Sequence, residues 1–166
     1  SEAKNSTVNN LKKEARINGV DPNRLIFAPH LPFKEDHLNR IQLADLFIDT
    51  LPFNAHTTAS DALRMGLPVL TCIGSSFASR VAASLLNAVN LPELITTTQE
   101  QYESLAIELA TKPEKLEIIK DKLAKNLPTA PLYDTPLFTR HLESAYLTMY
   151  DRYQQGLEPD HIYVEH

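Results

Sequence analysis

Short, mainly apolar runs alternate with amphipathic stretches along this chain. An apolar run predicts a strand that is covered on both faces, as in a parallel sheet, because neither face can be turned to water. The pattern predicts such strands at residues 25–28, 46–49, 68–72 and 94–97.

Between these runs, apolar residues recur at the three- and four-residue spacing of a helix that buries one face. This spacing predicts helices at residues 6–18, 34–46, 57–65, 76–89, 98–111, 113–126 and 136–155. The alternation predicts an α/β fold: a Rossmann-like, doubly wound parallel sheet with flanking helices, followed by carboxyl-terminal helices. We expect a single domain over residues 1–166, with a loose or docking tail at 156–166.

The composition of the 166 residues is that of an ordinary globular protein, with 43% hydrophobic and 22% charged residues. The net charge of −5 argues against a general nucleic-acid-binding surface. No apolar run reaches transmembrane length and no signal-peptide pattern is present, so we expect no membrane partner and a cytoplasmic location. The single cysteine, Cys72, lies in an apolar run and is expected in the core.

The start of the third predicted helix combines several polar groups. His56, Thr57 and Thr58 stand where a strand gives way to a helix, and Asp61 follows one turn later. A helix amino terminus suits a phosphate because it presents backbone N–H groups and the positive end of the helix dipole. The hydroxyls and the imidazole can add hydrogen bonds, and Asp61 can accept bonds from a sugar's hydroxyl pair. Open α/β sheets bind ligands at the carboxyl ends of their strands, and this helix start follows such a strand end.

The same residues also fit an interpretation without a ligand. Thr58 and Asp61 have the spacing of a capping box, with aspartate in place of glutamate. His56 could be a turn residue bonded to a carbonyl group. Because helix caps are commoner than phosphate sites, the spacing alone favours the cap.

Three basic side chains, Lys34, His37 and Arg40, recur three residues apart on the second predicted helix. They form either a solvated basic edge or a wall of the cleft that contains His56. A second turn, residues 74–76, also follows a strand, and it either faces the same ligand or serves only as a turn.

Several common sites are absent from the sequence. Only four glycines occur and no G-x-G-x-x-G follows a strand, which argues against a nicotinamide-dinucleotide domain. There is no P-loop, no H-E-x-x-H and no cysteine pair, and the six histidines are scattered, so we expect no metal site.

Three stretches of the chain read IQLADLFIDTLPFNAHTTASDAL, GLPVLTCIGSSFASRVAASLL and LPELITTT. In this order they resemble the carboxyl-terminal catalytic lobe of the O-linked N-acetylglucosamine transferase family, nearest to its bacterial, SPINDLY-like members with tetratricopeptide repeats. The similarity covers about residues 23–159. It rests on QLAD, on HTT with an aspartate three residues later, and on ASRVAAS.

The resemblance implies the carboxyl-terminal half of a glycosyltransferase-B fold, in which two Rossmann-like lobes face each other across a cleft. It also implies an inverting transferase that moves N-acetylglucosamine from UDP-N-acetylglucosamine to serine or threonine of proteins, without a metal ion or other cofactor. The implied partners are UDP or a UDP-sugar, acceptor proteins, and the amino-terminal lobe and tetratricopeptide repeats of the same polypeptide.

The resemblance also implies roles for two groups of residues. In the first group the HTT triplet binds the diphosphate and the following aspartate contacts the ribose; its members are His56, Thr57, Thr58 and Asp61. In the second group a K-x-x-H-x-x-R pattern contacts the uridine, and the loop before it makes backbone contacts with the uracil. Its members are Lys34, His37 and Arg40, with Pro32 in the loop.

The resemblance places the family's essential lysine on a strand–helix unit just before this chain begins and its proposed basic histidines in the other lobe, so no catalytic residue is assigned in this chain. The abrupt, helix-like start likewise predicts a fragment of a longer polypeptide, inactive by itself. Because the last helix is implied to reach the other lobe, we expect an uncovered apolar face on it. Two alternatives stay open: a transferase that uses UDP-glucose, and a non-catalytic nucleotide-sensing or interaction module.

Overall fold

The structure, a computed structural model, describes the backbone of residues 2–164 and the side chains of residues 6–164. The last two residues of the predicted tail lie outside this range. The chain divides into two compact units, Ser1–Asp36 and His37–His166, which are described separately.

The first unit contains helix α1, Glu2–Ile17, followed by a single 3₁₀ turn at Pro22–Arg24. Gly19 adopts a φ of 74°, a left-handed conformation that glycine tolerates and that ends α1. Asp21 caps the 3₁₀ turn by accepting a hydrogen bond from the backbone N–H of Asn23 at 2.9 Å. Helix α2, Lys34–Ile41, begins in this unit and ends in the second.

The strand predicted at residues 25–28 is wrong. These residues are irregular, and the side chain of Ile26 is 90% exposed. A strand needs a neighbour that takes up its backbone N–H and C=O groups. Among residues 2–164, strand pairs form only between the three strands of the second unit. An apolar run therefore predicts burial without specifying the partner that would provide it.

The second unit is built on a three-stranded parallel sheet with the order β1-β2-β3. The strands are β1, Phe47–Ile48; β2, Val69–Cys72; and β3, Ile95–Thr96. Phe47 lies opposite Val69, and Cys72 lies opposite Thr96. The other three predicted strands are thus confirmed, although β1 and β3 are shorter than the apolar runs that contain them.

Five further helices complete the second unit. They are α3, Thr57–Arg64; α4, Val81–Ala88; α5, Gln99–Thr111; α6, Pro113–Asn126; and α7, Thr135–Gln154. Helix α4 begins five residues later than predicted, because the segment before it is organised by hydroxyl groups: Ser76 Oγ lies 2.9 Å from Ser79 Oγ. Helix α2 ends at Ile41, earlier than the predicted residue 46.

Helices cover both faces of this sheet. Successive strand residues point to opposite faces. Val69 belongs to a core cluster that includes Leu63 of α3 and Leu86 of α4, whereas Leu70 belongs to a second cluster with Tyr102 of α5. Cys72 is buried in that second cluster, as predicted. The predicted α/β class, a parallel sheet between layers of helices, is confirmed.

Helix α7 contributes no fully buried side chain to the core. The apolar stripe predicted on it is largely exposed, in agreement with the expected uncovered face. The exposed apolar side chains of α7 are Phe138, Leu142, Tyr146, Leu147, Met149, Tyr150 and Tyr153. Over the described residues, no helix has both the length and the apolar character needed to cross a membrane.

Candidate functional site

The connection from β1 to α3 is organised by a buried carboxylate. Asp49 follows β1 directly and is only 3% exposed. Its Oδ1 accepts hydrogen bonds from the backbone N–H groups of Thr50, at 2.8 Å, and Ala55, at 2.7 Å. Its Oδ2 accepts a hydrogen bond from Thr71 Oγ1 at 2.6 Å. One side chain thus ties the end of β1 to β2 and to the residue just before the α3 amino terminus.

The loop between Asp49 and α3 is closed by further hydrogen bonds. Thr50 Oγ1 donates to the carbonyl of Phe53 at 2.7 Å, and Asn54 Nδ2 donates to the carbonyl of Thr50 at 3.0 Å. The backbone N–H of Asn54 donates to the carbonyl of Ala78 at 3.1 Å, which joins this loop to the turn before α4. Asn54 Oδ1 is buried and has no partner within the described part of the chain.

The triplet predicted to bind phosphate lies at the start of α3. His56 is the N-cap residue, Thr57 and Thr58 are the first two helical residues, and Asp61 lies one turn further along. Because Thr58 is inside the helix, the predicted Thr58–Asp61 capping box is wrong; the N-cap position belongs to His56, whose side chain makes no capping hydrogen bond.

A cleft borders this helix start, and we call it the α3 cleft. It has a volume of about 470 Å³ and is lined by Phe47, Asp49, Thr50, Phe53, Asn54, Ala55, His56, Thr57 and Thr58. The first N–H groups of a helix have no acceptor within the helix, and they carry the positive end of its dipole. A cleft at this position can therefore accommodate an anionic group.

The His56 ring is held between two aromatic side chains. The Phe53 ring stacks on it with a centroid distance of 5.1 Å and an interplanar angle of 20°. The Phe77 ring approaches edge-on at 6.1 Å. His56 Nε2 lies 3.4 Å from the carbonyl oxygen of Ala78, so the predicted contact with a carbonyl is present. The ring nitrogen that carries the proton decides whether His56 donates to this carbonyl or to a ligand in the cleft.

The glycine–serine turn before α4 lies against the same loop. A side chain on Gly74 would place its Cβ 2.5 Å from Ser79 Oγ, so this close approach requires glycine. The resulting compact turn presents Phe77 to the His56 ring and the carbonyl of Ala78 to Asn54. From the sequence, this turn either faces the same ligand or serves only as a turn. In the structure it lies beside His56, and a ligand contact remains a prediction.

The second predicted group lies on and before α2. Lys34 is the first residue of this helix, and Arg40 Nη2 lies 3.2 Å from His37 Nδ1. Pro32 lies in the irregular segment that precedes the helix. His37 and Arg40 are therefore brought together, and the contact of this group with uridine remains a prediction.

A series of buried polar residues, which the sequence did not reveal, runs from the end of β1 across β2 to β3 and to α5. Thr96 Oγ1 donates to the carbonyl of Thr71 at 3.0 Å, Thr71 donates to Asp49, and Tyr102 donates from its hydroxyl to the carbonyl of Asp49 at 2.5 Å. The available signal was an aspartate placed directly after a strand. Burial raises the pKa of Tyr102 to about 12, and the negative charge of Asp49 acts in the same direction.

The pKa of Tyr102 predicts a loss of stability in alkali. Because the folded-state pKa of about 12 lies above the ordinary value of about 10, the contribution is complete below pH 10 and is lost as the pH rises toward 12. We expect the free energy of unfolding of Tyr102→Phe to fall less steeply with pH between 10 and 12 than that of the unmodified protein. The difference in slope should correspond to the release of about one proton on unfolding. Urea unfolding at several pH values measures it; parallel slopes would contradict the prediction.

Among the described side chains, no group of three or more His, Cys, Asp or Glu residues could hold a metal ion. At the start of α3 the cleft is bordered by backbone N–H groups, the hydroxyls of Thr57 and Thr58 and the imidazole of His56. These groups can donate hydrogen bonds to phosphate oxygens.

Known proteins resemble this chain over most of its length. The profile of "Glycosyl transferase family 41" matches residues 4–142. A UDP-N-acetylglucosamine--peptide N-acetylglucosaminyltransferase of Caenorhabditis elegans is 36% identical over 152 residues, which are 92% of this chain and 13% of that protein. The probable SPINDLY transferase of Hordeum vulgare is 37% identical over 141 residues, 85% of this chain and 15% of that protein.

A solved structure also matches the chain. The K341M mutant of the Thermobaculum terrenum O-GlcNAc transferase aligns with a TM-score of 0.82 at 34% identity, over 91% of this chain and 29% of that one. The fold of this chain is thus that of one part of a glycosyltransferase-B enzyme. The chain spans about one seventh of the curated relatives that it matches. On the match over residues 4–142, this chain belongs to glycosyl transferase family 41.

Proposed function

We propose that this chain is the donor-nucleotide-binding lobe of an inverting glycosyltransferase that moves N-acetylglucosamine from UDP-N-acetylglucosamine to serine or threonine of proteins. The observation that supports it best is His56, Thr57 and Thr58 at the amino terminus of α3, on the border of the α3 cleft. The names of the relatives supply the donor and the acceptor class.

In this proposal the α3 cleft binds the diphosphate of the donor. As the bond between the sugar and UDP breaks, negative charge develops on the leaving diphosphate. The dipole of α3, the N–H groups at its start and the hydroxyls of Thr57 and Thr58 stabilise that charge without a metal ion. His56 adds a hydrogen bond from its ring, and Asp61 holds the ribose.

The uridine end of the donor is assigned to α2 and the segment before it. Lys34, His37 and Arg40 contact the uridine, and the backbone at Pro32 contacts the uracil. This chain supplies no catalytic base in this scheme. An amino-terminal lobe and tetratricopeptide repeats, in other parts of a longer polypeptide, then bind the acceptor proteins and supply the remaining catalytic groups. This chain alone is then inactive in transfer, and its location in the cytoplasm stays a prediction.

Calorimetric titration of the full-length protein with UDP and with ADP tests the assignment. Because the α2 residues are assigned to the base and the α3 residues to the diphosphate, we expect UDP to bind at least about tenfold more tightly than ADP, a free-energy difference of about 1.4 kcal/mol. Lys34→Ala is expected to reduce this preference, whereas Lys13→Ala, on α1, leaves it unchanged. Equal affinities for UDP and ADP in the unmodified protein would contradict the uridine assignment.

A further inference from the structure

Asp49 is one of the residues that line the α3 cleft, and its acidic side chain is buried. The ion pairs formed by the described side chains do not include it. A buried carboxylate without a cation is costly unless hydrogen bonds replace the water it has lost. Here the replacement comes from two backbone N–H groups and the hydroxyl of Thr71.

The positions of these donors show what the carboxylate connects. Thr50 begins the loop that leaves β1, and Ala55 ends this loop one residue before the N-cap residue His56. Thr71 lies in β2, the central strand of the sheet. Asp49 therefore closes the loop on itself and fixes it to the most buried strand of the unit.

We propose that Asp49 is a positioning residue for the donor: its carboxylate fixes the loop 50–55 and thereby orients His56 and the first N–H groups of α3 toward the diphosphate. The inference rests on the proposed function, which assigns the diphosphate to the α3 cleft. Asp49 itself makes no contact with the donor in this scheme. It acts through Ala55, whose N–H group it holds.

The chemistry of a carboxylate suits this position. Two oxygens accept the three hydrogen bonds present, and an amide of the same shape keeps one of these oxygens. In Asp49→Asn the Oδ1 atom can still accept from Thr50 and Ala55, while Nδ2 faces Thr71, whose hydroxyl can turn to accept. Asp49→Ala removes all three bonds and leaves the N–H groups of Thr50 and Ala55 without their acceptor.

Three variants of the full-length protein separate positioning from stability. Asp49→Ala tests the inference, Asp49→Asn tests rescue by an isosteric side chain, and Thr96→Val is the matched control. Thr96 is buried and belongs to the same series of polar residues, but its hydroxyl donates to the carbonyl of Thr71 and, among the described residues, makes no hydrogen bond to the loop. UDP affinity by calorimetry and the midpoint of thermal unfolding are measured for each variant.

Because small displacements of binding groups weaken a site strongly, we expect the UDP dissociation constant of Asp49→Ala to rise about tenfold or more. We expect a rise of about threefold for Asp49→Asn and no change beyond about twofold for Thr96→Val. Thr96→Val and Asp49→Asn should both lower the unfolding midpoint. The UDP affinity of the Asp49 variants relative to that of Thr96→Val, and not the unfolding midpoint, then separates an effect on the loop from a general loss of stability.

Three results would overturn the inference: UDP affinity of Asp49→Ala within about twofold of the unmodified protein, affinity of Asp49→Asn as low as that of Asp49→Ala, or an equal loss in Thr96→Val. If Asp49→Ala does not fold, the UDP affinities of Asp49→Asn and Thr96→Val are compared. Asp49→Asn should bind UDP more weakly than Thr96→Val, and equal affinities would overturn the inference. An unmodified protein that does not bind UDP would instead contradict the proposed function and the inference with it.

Discussion

Replacing His56 or Thr57 by alanine is expected to lower the proposed transfer turnover of the full-length protein about 10²–10³-fold. Each side chain lies at the amino terminus of α3, where we place the diphosphate of the leaving group. In the proposed scheme its hydrogen bond to the diphosphate strengthens as negative charge develops there, so its loss should raise the barrier more than it weakens ground-state binding. Steady-state kinetics with saturating donor measures the effect as a fall in kcat.

Two control variants make this prediction specific. Thr111→Ala removes a threonine hydroxyl that bonds the carbonyl of Ile107 on the exposed side of α5, and it should turn over at the unmodified rate. Arg40→Ala, at the position assigned to uridine, should change the donor KM more than kcat, because uridine contacts are the same before and during the reaction. Normal kcat values for both His56→Ala and Thr57→Ala would remove the diphosphate assignment.

The apolar periodicity predicted helix bounds well where local residues also mark the helix ends. Helix α6 begins at Pro113 and ends at Asn126, the bounds predicted from the apolar spacing, because proline is favoured in the first turn of a helix. Helix α5 is similar, with Thr98 accepting a hydrogen bond from the backbone N–H of Gln101. The run at residues 25–28 failed because strand formation depends on a partner distant in sequence.

The site residues also divide into those that local sequence predicts and those whose partners are distant in sequence. The start of α3 was predictable because a strand end, a turn and a helix start are all local. The role of Asp49 was not, because its partner Thr71 is 22 residues away and Tyr102, which bonds its carbonyl, is 53 residues away. From the sequence, an aspartate after a strand is typical of a turn in contact with solvent. Its burial follows only from the packing of β2 and α5 around it.

Leu63→Ala is expected to lower the free energy of unfolding by about 2–5 kcal/mol. Leu63 is fully buried on the face of α3 that packs in the main core cluster, with Ala59 and Ala62 beside it. Truncation to alanine removes the burial of the side chain and leaves a cavity that close-packed neighbours fill only in part. Urea unfolding of the 166-residue chain measures the change.

The matched control is Leu147→Ala on α7, where the side chain is 66% exposed and its truncation should cost less than about 0.5 kcal/mol. Equal losses for the two variants would contradict the packing of α3 described here. The comparison also bears on the site, because one helix supplies both functions: its first turn borders the α3 cleft and its buried face anchors it to the core. The N–H groups at the start of α3 can hold a fixed direction only while this face stays packed.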